Sequence, residues 1–482
     1  MSLHPTHEAP LAAEYGTSGG AWDVPPLETF FAHRNGLTGP AVVDDTQTLD
    51  RTALDAQIAR VAGGLVEAGV RPGEVVTWQL PNCTEAFVLY RACWRVGAVA
   101  APVHHLAGSA DRAAMLQQVD PALSISGRDL PLGAPITETP ARETDLAAVL
   151  FTSGSTGRPK GALHTQRAFA YKAQVMAAAH GLTFSDAILM PAPLAHISGL
   201  LNGVLLPSVV PMKVVLMAKW NPEHAVELIE RERITFMIGP PTFFVALMNA
   251  SNFTSERVAS LRLVSSGGAG VTPAFVQDAA ARLGARVKRT YGSTEFPTIT
   301  TSSASDPDDL ARTHDGRPVG VSEIATAPNG ELLLRGPEGF VGYADARDNR
   351  DAFTDEGWFR TGDLATINAN GWLNVVGRIK DVIIRGGENI AASEVEHHLE
   401  AHPLIRHAAA VGYPDELMGE RVCAFVETDA TISLHDVQAW FAELGVAKFK
   451  VPERLVVTNA LPTLAAGKID RAALRERARL LN

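Results

Sequence analysis

Twice within the first hundred residues an apolar helical run breaks and passes into a short strand. "LDRTALDAQIARVAGGLVEAGV" sets Leu54, Ile58, Val61 and Leu65 at helical spacing and runs through Gly69 into the strand-like "RPGEVVTWQL". "TEAFVLYRACWRVGAVAAPV" repeats the pattern. Alternation of this kind predicts parallel sheets covered by helices, an α/β fold. Further on the texture changes to short strands: "GELLLRG", "GWFRTGDLATINANGWLNVVGRIKDVII" and "RVCAFVET". Asn329-Gly330 and Asn370-Gly371 are hairpin signals. Ser393 with Glu396 three residues on reads as a capping box opening "EVEHHLEAH". From about Val382 the tail reads as a small α+β unit, with a junction expected near Gly377–Asp381.

A chain of 482 residues has room for two or more domains, and 46% hydrophobic with 20% charged residues is ordinary globular material. The net charge of −11 argues against nucleic acid or an anionic membrane as the main partner, while leaving room for a small anionic ligand held by local donors. Cys83, Cys93 and Cys423 are scattered without metal-type spacing, as buried thiols in a reducing compartment would be. "MSLHPTHEAPLAAEYG" has neither a basic start nor an apolar run, so no export signal is read there. The most apolar stretch, "LLNGVLLPSVVPMKVVLM", is interrupted by Asn202, Pro207, Pro211 and Lys213, and reads as buried strand and helix pieces, not a membrane span. A soluble, cytoplasmic protein is expected.

The segment "LFTSGSTGRPKGALH" (150–164) follows the buried strand "AAVLF" and precedes the helical "QRAFAYKAQVMAAAH". A Gly/Ser/Thr turn beside a lysine is suited to phosphate: tight backbone offers a nest of N–H donors, and hydroxyls add more. A flexible linker is disfavoured by the flanking strand and by Pro159. A Walker loop is excluded, because it closes on Gly-Lys-Ser/Thr, whereas Pro159 precedes Lys160 here and Gly161 follows it.

Three more segments carry chemistry that a nucleotide site uses. "RTYGSTEFP" offers Tyr291 for stacking on a base, Thr294 as a phosphate donor and Glu295 as an oxygen ligand for Mg²⁺. "WFRTGDL" places Asp363 after a glycine turn, and a carboxylate suits the paired hydroxyls of a ribose. "VGRIKDVIIRGGENI" adds Arg378 and two glycines. Singly, each has an ordinary structural explanation: Tyr291 as core, Asp363 as a turn former, Arg378 as a surface ion pair.

Together, and in this order, they resemble the adenylate-forming superfamily of acyl-CoA synthetases, nonribosomal peptide synthetase adenylation domains and beetle luciferases. The motifs are "TSGSTGRPKG" (152–161), "YGSTE" (291–295), "GELLLRG" (330–336), "RTGDL" (360–364), "GRIKDVIIRGGENI" (377–390) and "LPTLAAGKIDR" (461–471). Within the superfamily, bacterial fatty-acid and cyclic-carboxylate CoA ligases are the most similar. The resemblance implies a large N-terminal domain of helix-covered sheets with a small β-barrel-like subdomain, residues 1–379. It also implies a small mobile α+β lid, residues 380–482, hinged at Lys380. ATP, Mg²⁺ and coenzyme A are the implied cofactors, with a small carboxylic acid as substrate and a monomer or homodimer as the assembly.

The family pattern assigns roles by position. Thr152, Ser153, Gly154, Ser155, Thr156, Gly157 and Lys160 would hold the β- and γ-phosphates. Thr294 would touch the α-phosphate, and Glu295, with Thr152, would face Mg²⁺. Gly267, Gly268, Ala269, Tyr291 and Gly292 would line the adenine site, and Asp363 and Arg378 the ribose. Lys468 would bridge the acid's carboxylate and the α-phosphate in the first step. Gly386 and Gly387 would approach the pantetheine arm of CoA. Leu464 and Ala466 stand where the C-terminal motif usually has threonines.

The acid pocket of the family forms around "PAPLAHISGLLNG", "VSSGGAGVTP" and "YGSTEFPTIT", with His196 at the gating position. No acidic residue occurs between Met190 and Val210 to pair with an α-amine, and a buried uncompensated cation is costly. The expected substrate is therefore an apolar monocarboxylate, medium-chain fatty, alicyclic or aryl. It would become acyl-CoA through acyl-AMP, with release of AMP and pyrophosphate. Transfer to a carrier protein by an acyl-AMP ligase is the alternative.

Overall fold

The computed structural model describes residues 3–7, 9, 11–32, 39–153, 158–268, 270–386, 388–463 and 469–481. By their contacts the residues form two compact units: Met1–Ile324 with Leu334–Arg360, and Ala325–Leu333 with Thr361–Asn482.

The first unit holds two helix-covered sheets. One has five strands in the order Leu123–Ile125, Val75–Trp78, Val99–Pro102, Leu146–Ser153, Pro159–Thr165. The three pairings among its first four strands are parallel, as the sequence alternation predicts. The helices Arg51–Glu67 and Thr84–Arg95 fall where the periodicity puts them, the first capped by Asp50, whose carboxylate accepts the Ala53 N–H at 2.8 Å. Leu54, Ile58, Val61 and Leu65 are buried together with Trp94 and Tyr90 in one core. The other sheet has nine strands, and six of them, from Arg286–Tyr291 through Leu263–Ser266, Phe236–Gly239, Ala187–Met190 and Lys213–Leu216 to Pro40–Val43, run parallel.

The return strand Pro159–Thr165 was not read from the sequence. It lies antiparallel to Leu146–Ser153, with Thr152 opposite Lys160 and Ser153 opposite Pro159. The two strands are an antiparallel pair, and the helix Gln166–His180 begins only after the second of them. The broken apolar stretch folds as foreseen into buried pieces: helix Ile197–Leu200, a π-helical turn Leu201–Leu205, helix Leu206–Val209 and strand Lys213–Leu216. Among the described residues no helix is long and apolar enough to cross a membrane. All three cysteines are buried free thiols, with burial pushing Cys83 and Cys423 up to about 12.

A smaller four-stranded sheet has the order Glu323–Thr326, Glu331–Arg335, Phe359–Ile367, Leu373–Arg378. Its hairpins turn at Asn329-Gly330 and Asn370-Gly371, where the Asn329 and Asn368 carboxamides accept the N–H groups that tighten each turn. The second unit continues as a five-stranded sheet flanked by helices. Within it the strand Leu373–Arg378 packs on helix Ala392–Glu400, and the Ser393 hydroxyl donates to the Val376 carbonyl.

That contact also removes the foreseen capping box. Ser393 lies inside the helix, whose N-cap is Ala391, and the Glu396 carboxylate accepts from the Ala410 N–H and from Arg471. A capping box forms instead at Ser433 and Asp436, opening helix Leu434–Glu443.

Candidate active site

Parallel strands end with their backbone groups and loop residues pointing out of one edge, and ligands of open α/β sheets bind there. The expected adenine and acid residues of the first unit follow such ends. His196 comes after Ala187–Met190, Gly267 and Gly268 after Leu263–Ser266, and Gly292, Thr294 and Glu295 after Arg286–Tyr291, whose last residue is Tyr291. The ends of both sheets are tied together. Asn82, beyond Val75–Trp78, donates from Nδ2 to the carbonyls of Met190 and Ala192 at 3.0 and 2.8 Å and accepts the Leu194 N–H at 2.8 Å. Gly267 belongs at its position for a steric reason: a Cβ there would lie 2.4 Å from the Thr290 carbonyl oxygen of the neighbouring strand. Tyr291 is half-buried and pairs with Thr300, so it is not core.

The paired strands Leu146–Ser153 and Pro159–Thr165 meet Glu295 through a residue not singled out from the sequence, Tyr343. Residues 341–344 run beside the return strand: the Val341 N–H donates to Leu163 O, the Leu163 N–H to Gly342 O and the Ala344 N–H to Gly161 O, at 2.8 to 2.9 Å. This sets the Tyr343 ring 5.1 Å from Lys160 Nζ and lets its hydroxyl donate to Glu295 Oε1 at 2.7 Å. Burial first, then the Glu295 charge, pushes the Tyr343 hydroxyl far above its ordinary value, so it remains a donor. Glu295 is itself buried. One of its oxygens is occupied by Tyr343, leaving the other for a cation. Among the described residues no three His, Cys, Asp or Glu side chains converge as a metal cage. A single carboxylate beside a phosphate loop fits Mg²⁺, which keeps waters and takes most remaining ligands from phosphate oxygens.

The base of the loop is braced on both sides. Gln118, from helix Ser109–Val119, donates to Pro159 O at 2.9 Å and accepts the Gly161 N–H at 3.2 Å. Arg158 reaches Asp345 and Asp348 at 2.8 Å each, and Lys160 Nζ lies 3.4 Å from Asp348. Hydrogen bonds from Arg347 first and, among others, Arg158 hold the Asp345 carboxyl well below the usual carboxylate range, so it stays ionised. Behind Lys160 on the same strand, His164 is fully buried against Phe169. Burial lowers its pKa to about 3, and the Thr294 main chain beside it offsets this only in part. Thr294 itself is half-buried.

In the second unit Asp363 sits within the strand Phe359–Ile367, not after a turn. It pairs across the hairpin with Arg378, Oδ1 to Nε 3.0 Å, with Asp363 buried and Arg378 half-exposed. Gly386 has φ +59, and a Cβ would meet the Met418 methyl at 2.5 Å. Gly154, Ser155, Thr156, Gly157, Ala269, Gly387 and Lys468 lie outside the described residues, as does the side chain of Ser153. Tyr343, Asp345 and Asp348 were missed because "GYADARD" has no chemical signature of its own. The one available signal was its place directly after the "RGPEGF" strand and turn.

A lysine and a buried carboxylate held on one tyrosine ring, the carboxylate beyond the end of a parallel strand, are groups suited to an enzyme that handles a nucleotide's phosphates. A family model described as AMP-binding enzyme matches residues 31–134 and 126–344, and one described as AMP-binding enzyme C-terminal domain matches 394–468. The chain belongs to this family of AMP-binding enzymes.

It is 31% identical to the medium-chain fatty-acid–CoA ligase of Escherichia coli (strain K12), over 90% of this chain and 87% of that one. It is 32% identical to the 2-hydroxy-7-methoxy-5-methyl-1-naphthoate–CoA ligase of Streptomyces carzinostaticus, over 96% and 95%. Among solved structures, ATP-bound MatB from Rhodopseudomonas palustris superposes with a TM-score of 0.85 at 26% identity, covering 95% of this chain and 99% of that one.

Proposed function

We propose that the protein is an ATP- and Mg²⁺-dependent acyl-CoA ligase acting on an apolar monocarboxylic acid, medium-chain fatty, alicyclic or aryl, in the cytoplasm. The observation that supports this reading is the line Lys160–Tyr343–Glu295, a lysine and a buried carboxylate on one ring. The relatives act on acids of both an aliphatic and a fused aromatic kind, and both are named as CoA ligases.

A carboxylate is a poor electrophile until it gains a leaving group. In the proposed reaction its oxygen attacks the α-phosphorus of ATP, the bond to the β-phosphate breaks, and acyl-AMP and pyrophosphate form. The CoA thiol then displaces AMP. Lys160 and the Thr152–Gly157 loop take up the β- and γ-phosphates, and Thr294 donates to the α-phosphate. Glu295 and Thr152 would hold Mg²⁺, which would supply positive charge to the transferring phosphates. Lys468 supplies the cation for the first step, Asp363 and Arg378 engage the ribose, Gly386 and Gly387 leave room for pantetheine, and Lys380 is the hinge between the two half-reactions. The assembly is a monomer or homodimer.

The helix–π–helix segment 197–209 beyond His196 carries no acidic group. An acid chamber bordered by it favours an uncharged tail over an α-amine. The test is AMP release over a panel of carboxylic acids with and without CoA. CoA-dependent release with aliphatic or aryl acids is expected. Equal ATP–pyrophosphate exchange with free amino acids overturns the substrate class, and thioester formation only on a phosphopantetheinylated carrier overturns the acceptor.

A further inference from the structure

We infer that His104 is a positioning residue of the acid site, acting by holding the ring of His196. The inference rests on the proposed role of His196 beside the acid.

His104 follows the carboxyl end of strand Val99–Pro102, and His196 follows Ala187–Met190 of the other sheet. Their rings meet at 5.0 Å between centroids, inclined by 34°. His105 also stacks on His104, at 4.7 Å and 26°. The loop that carries these rings is fixed from below. Gln79 Nε2 donates to the carbonyls of His104, His105 and Ala107 at 3.2, 3.4 and 3.0 Å. The His104 ring is fixed as well, because its Nδ1 accepts the Leu106 N–H at 3.1 Å. An Nδ1 that accepts carries no proton, so the neutral ring bears its hydrogen on Nε2. Among the described residues that Nε2 has no hydrogen-bond partner. Burial pushes His104 and His105 below the ordinary histidine range, which keeps the stack uncharged near neutrality.

A ring locked by its own backbone and pressed on a second ring restricts the second ring's rotamers. His196 stands at the start of helix Ile197–Leu200. His104 contributes its flat face. Its effect is on the acid and not on the nucleotide.

Two substitutions separate the ring from the loop. His104→Asn keeps an oxygen to accept the Leu106 N–H but removes the ring. His104→Phe keeps a ring but loses the acceptor. The probes are octanoate and benzoate, each in the CoA-dependent AMP-release assay of the full chain, with melting temperature as a check on folding.

His104→Asn is expected to raise the KM for the better of the two acids about three- to tenfold, the range that an aromatic pair spans, with the KM for ATP unchanged. His104→Phe is expected to stay within twofold of the parent (a factor of about 2 being small on that scale). In a His196→Ala background His104→Asn adds nothing. A crystal structure of His104→Asn, which requires no substrate, is expected to show His196 in another rotamer. An unchanged rotamer and unchanged acid kinetics overturn the inference, as does an equal rise in KM for acid and ATP, or a full additional effect on top of His196→Ala. If His196→Ala itself leaves acid kinetics untouched, the reading of the acid site fails instead, and that outcome is distinguishable from the others.

Discussion

Tyr343 donates its phenolic hydroxyl to Glu295 Oε1 at 2.7 Å while its ring faces Lys160 Nζ at 5.1 Å. One side chain thus orients the buried carboxylate and backs the Lys160 ammonium. Tyr343→Phe keeps the ring and removes the donor. A hydrogen bond to a charged group contributes about 1.5–3 kcal/mol, so kcat/KM for Mg²⁺-ATP is expected to fall roughly ten- to hundredfold. Initial rates over a grid of ATP and Mg²⁺ check this; rates equal to the parent would leave Glu295 independent of Tyr343.

Asp348 takes both Arg158 and Lys160. Its charge competes with any phosphate for Lys160. Asp348→Asn is expected to tighten pyrophosphate inhibition about two- to fivefold at low salt, and the gain should fade as salt screens the site. Weaker inhibition at every salt concentration would mean that Asp348 organises the loop more than it competes with the ligand.

Lys172 and Glu338 form a fully buried ion pair at 3.1 Å, with the Ser322 hydroxyl donating to the same Glu338 oxygen at 2.6 Å. Burial is the largest influence on Lys172 and lowers its pKa, with Glu338 opposing. Removing one partner strands the other charge, so Lys172→Met is expected to cost about 3–5 kcal/mol, and Lys172→Met with Glu338→Leu is expected to recover much of it. Thermal unfolding of the three proteins side by side decides the matter. A double variant no more stable than the single one counts against the pairing.

Lys288 lies in the core, its ammonium donating to the Ser302 carbonyl, and burial lowers its pKa from 10.5 to about 7. Arg286 and Arg262 lower it further, and Asp306 opposes. The unfolded chain therefore binds more protons than the folded one between about pH 7 and 10.5, and the folded state gains stability as pH rises through that window. The stability advantage of Lys288→Met over the parent should be largest at pH 7 and below, then shrink by up to about 1.4 kcal/mol per pH unit toward pH 10. Urea unfolding of both proteins at several pH values measures this. An advantage independent of pH would place the lysine's cost elsewhere.

What the sequence determined by itself was chemistry carried by local spacing. Helical periodicity at Leu54–Leu65 fixed a helix, two Asn-Gly pairs fixed hairpins, and the failure of the Walker pattern at Pro159 and Gly161 set the loop's class. These signals depend on residues a few positions apart, which sterics and hydrogen bonding constrain directly. The return strand Pro159–Thr165, the loss of the Ser393 cap, and the meeting of Tyr343 with Glu295 and Lys160 were decided only by the tertiary structure. Each rests on partners between 6 and 183 positions apart, brought together when strands find their register in a sheet. No pattern along the chain encodes that register, because it is set by which apolar faces can be buried at once.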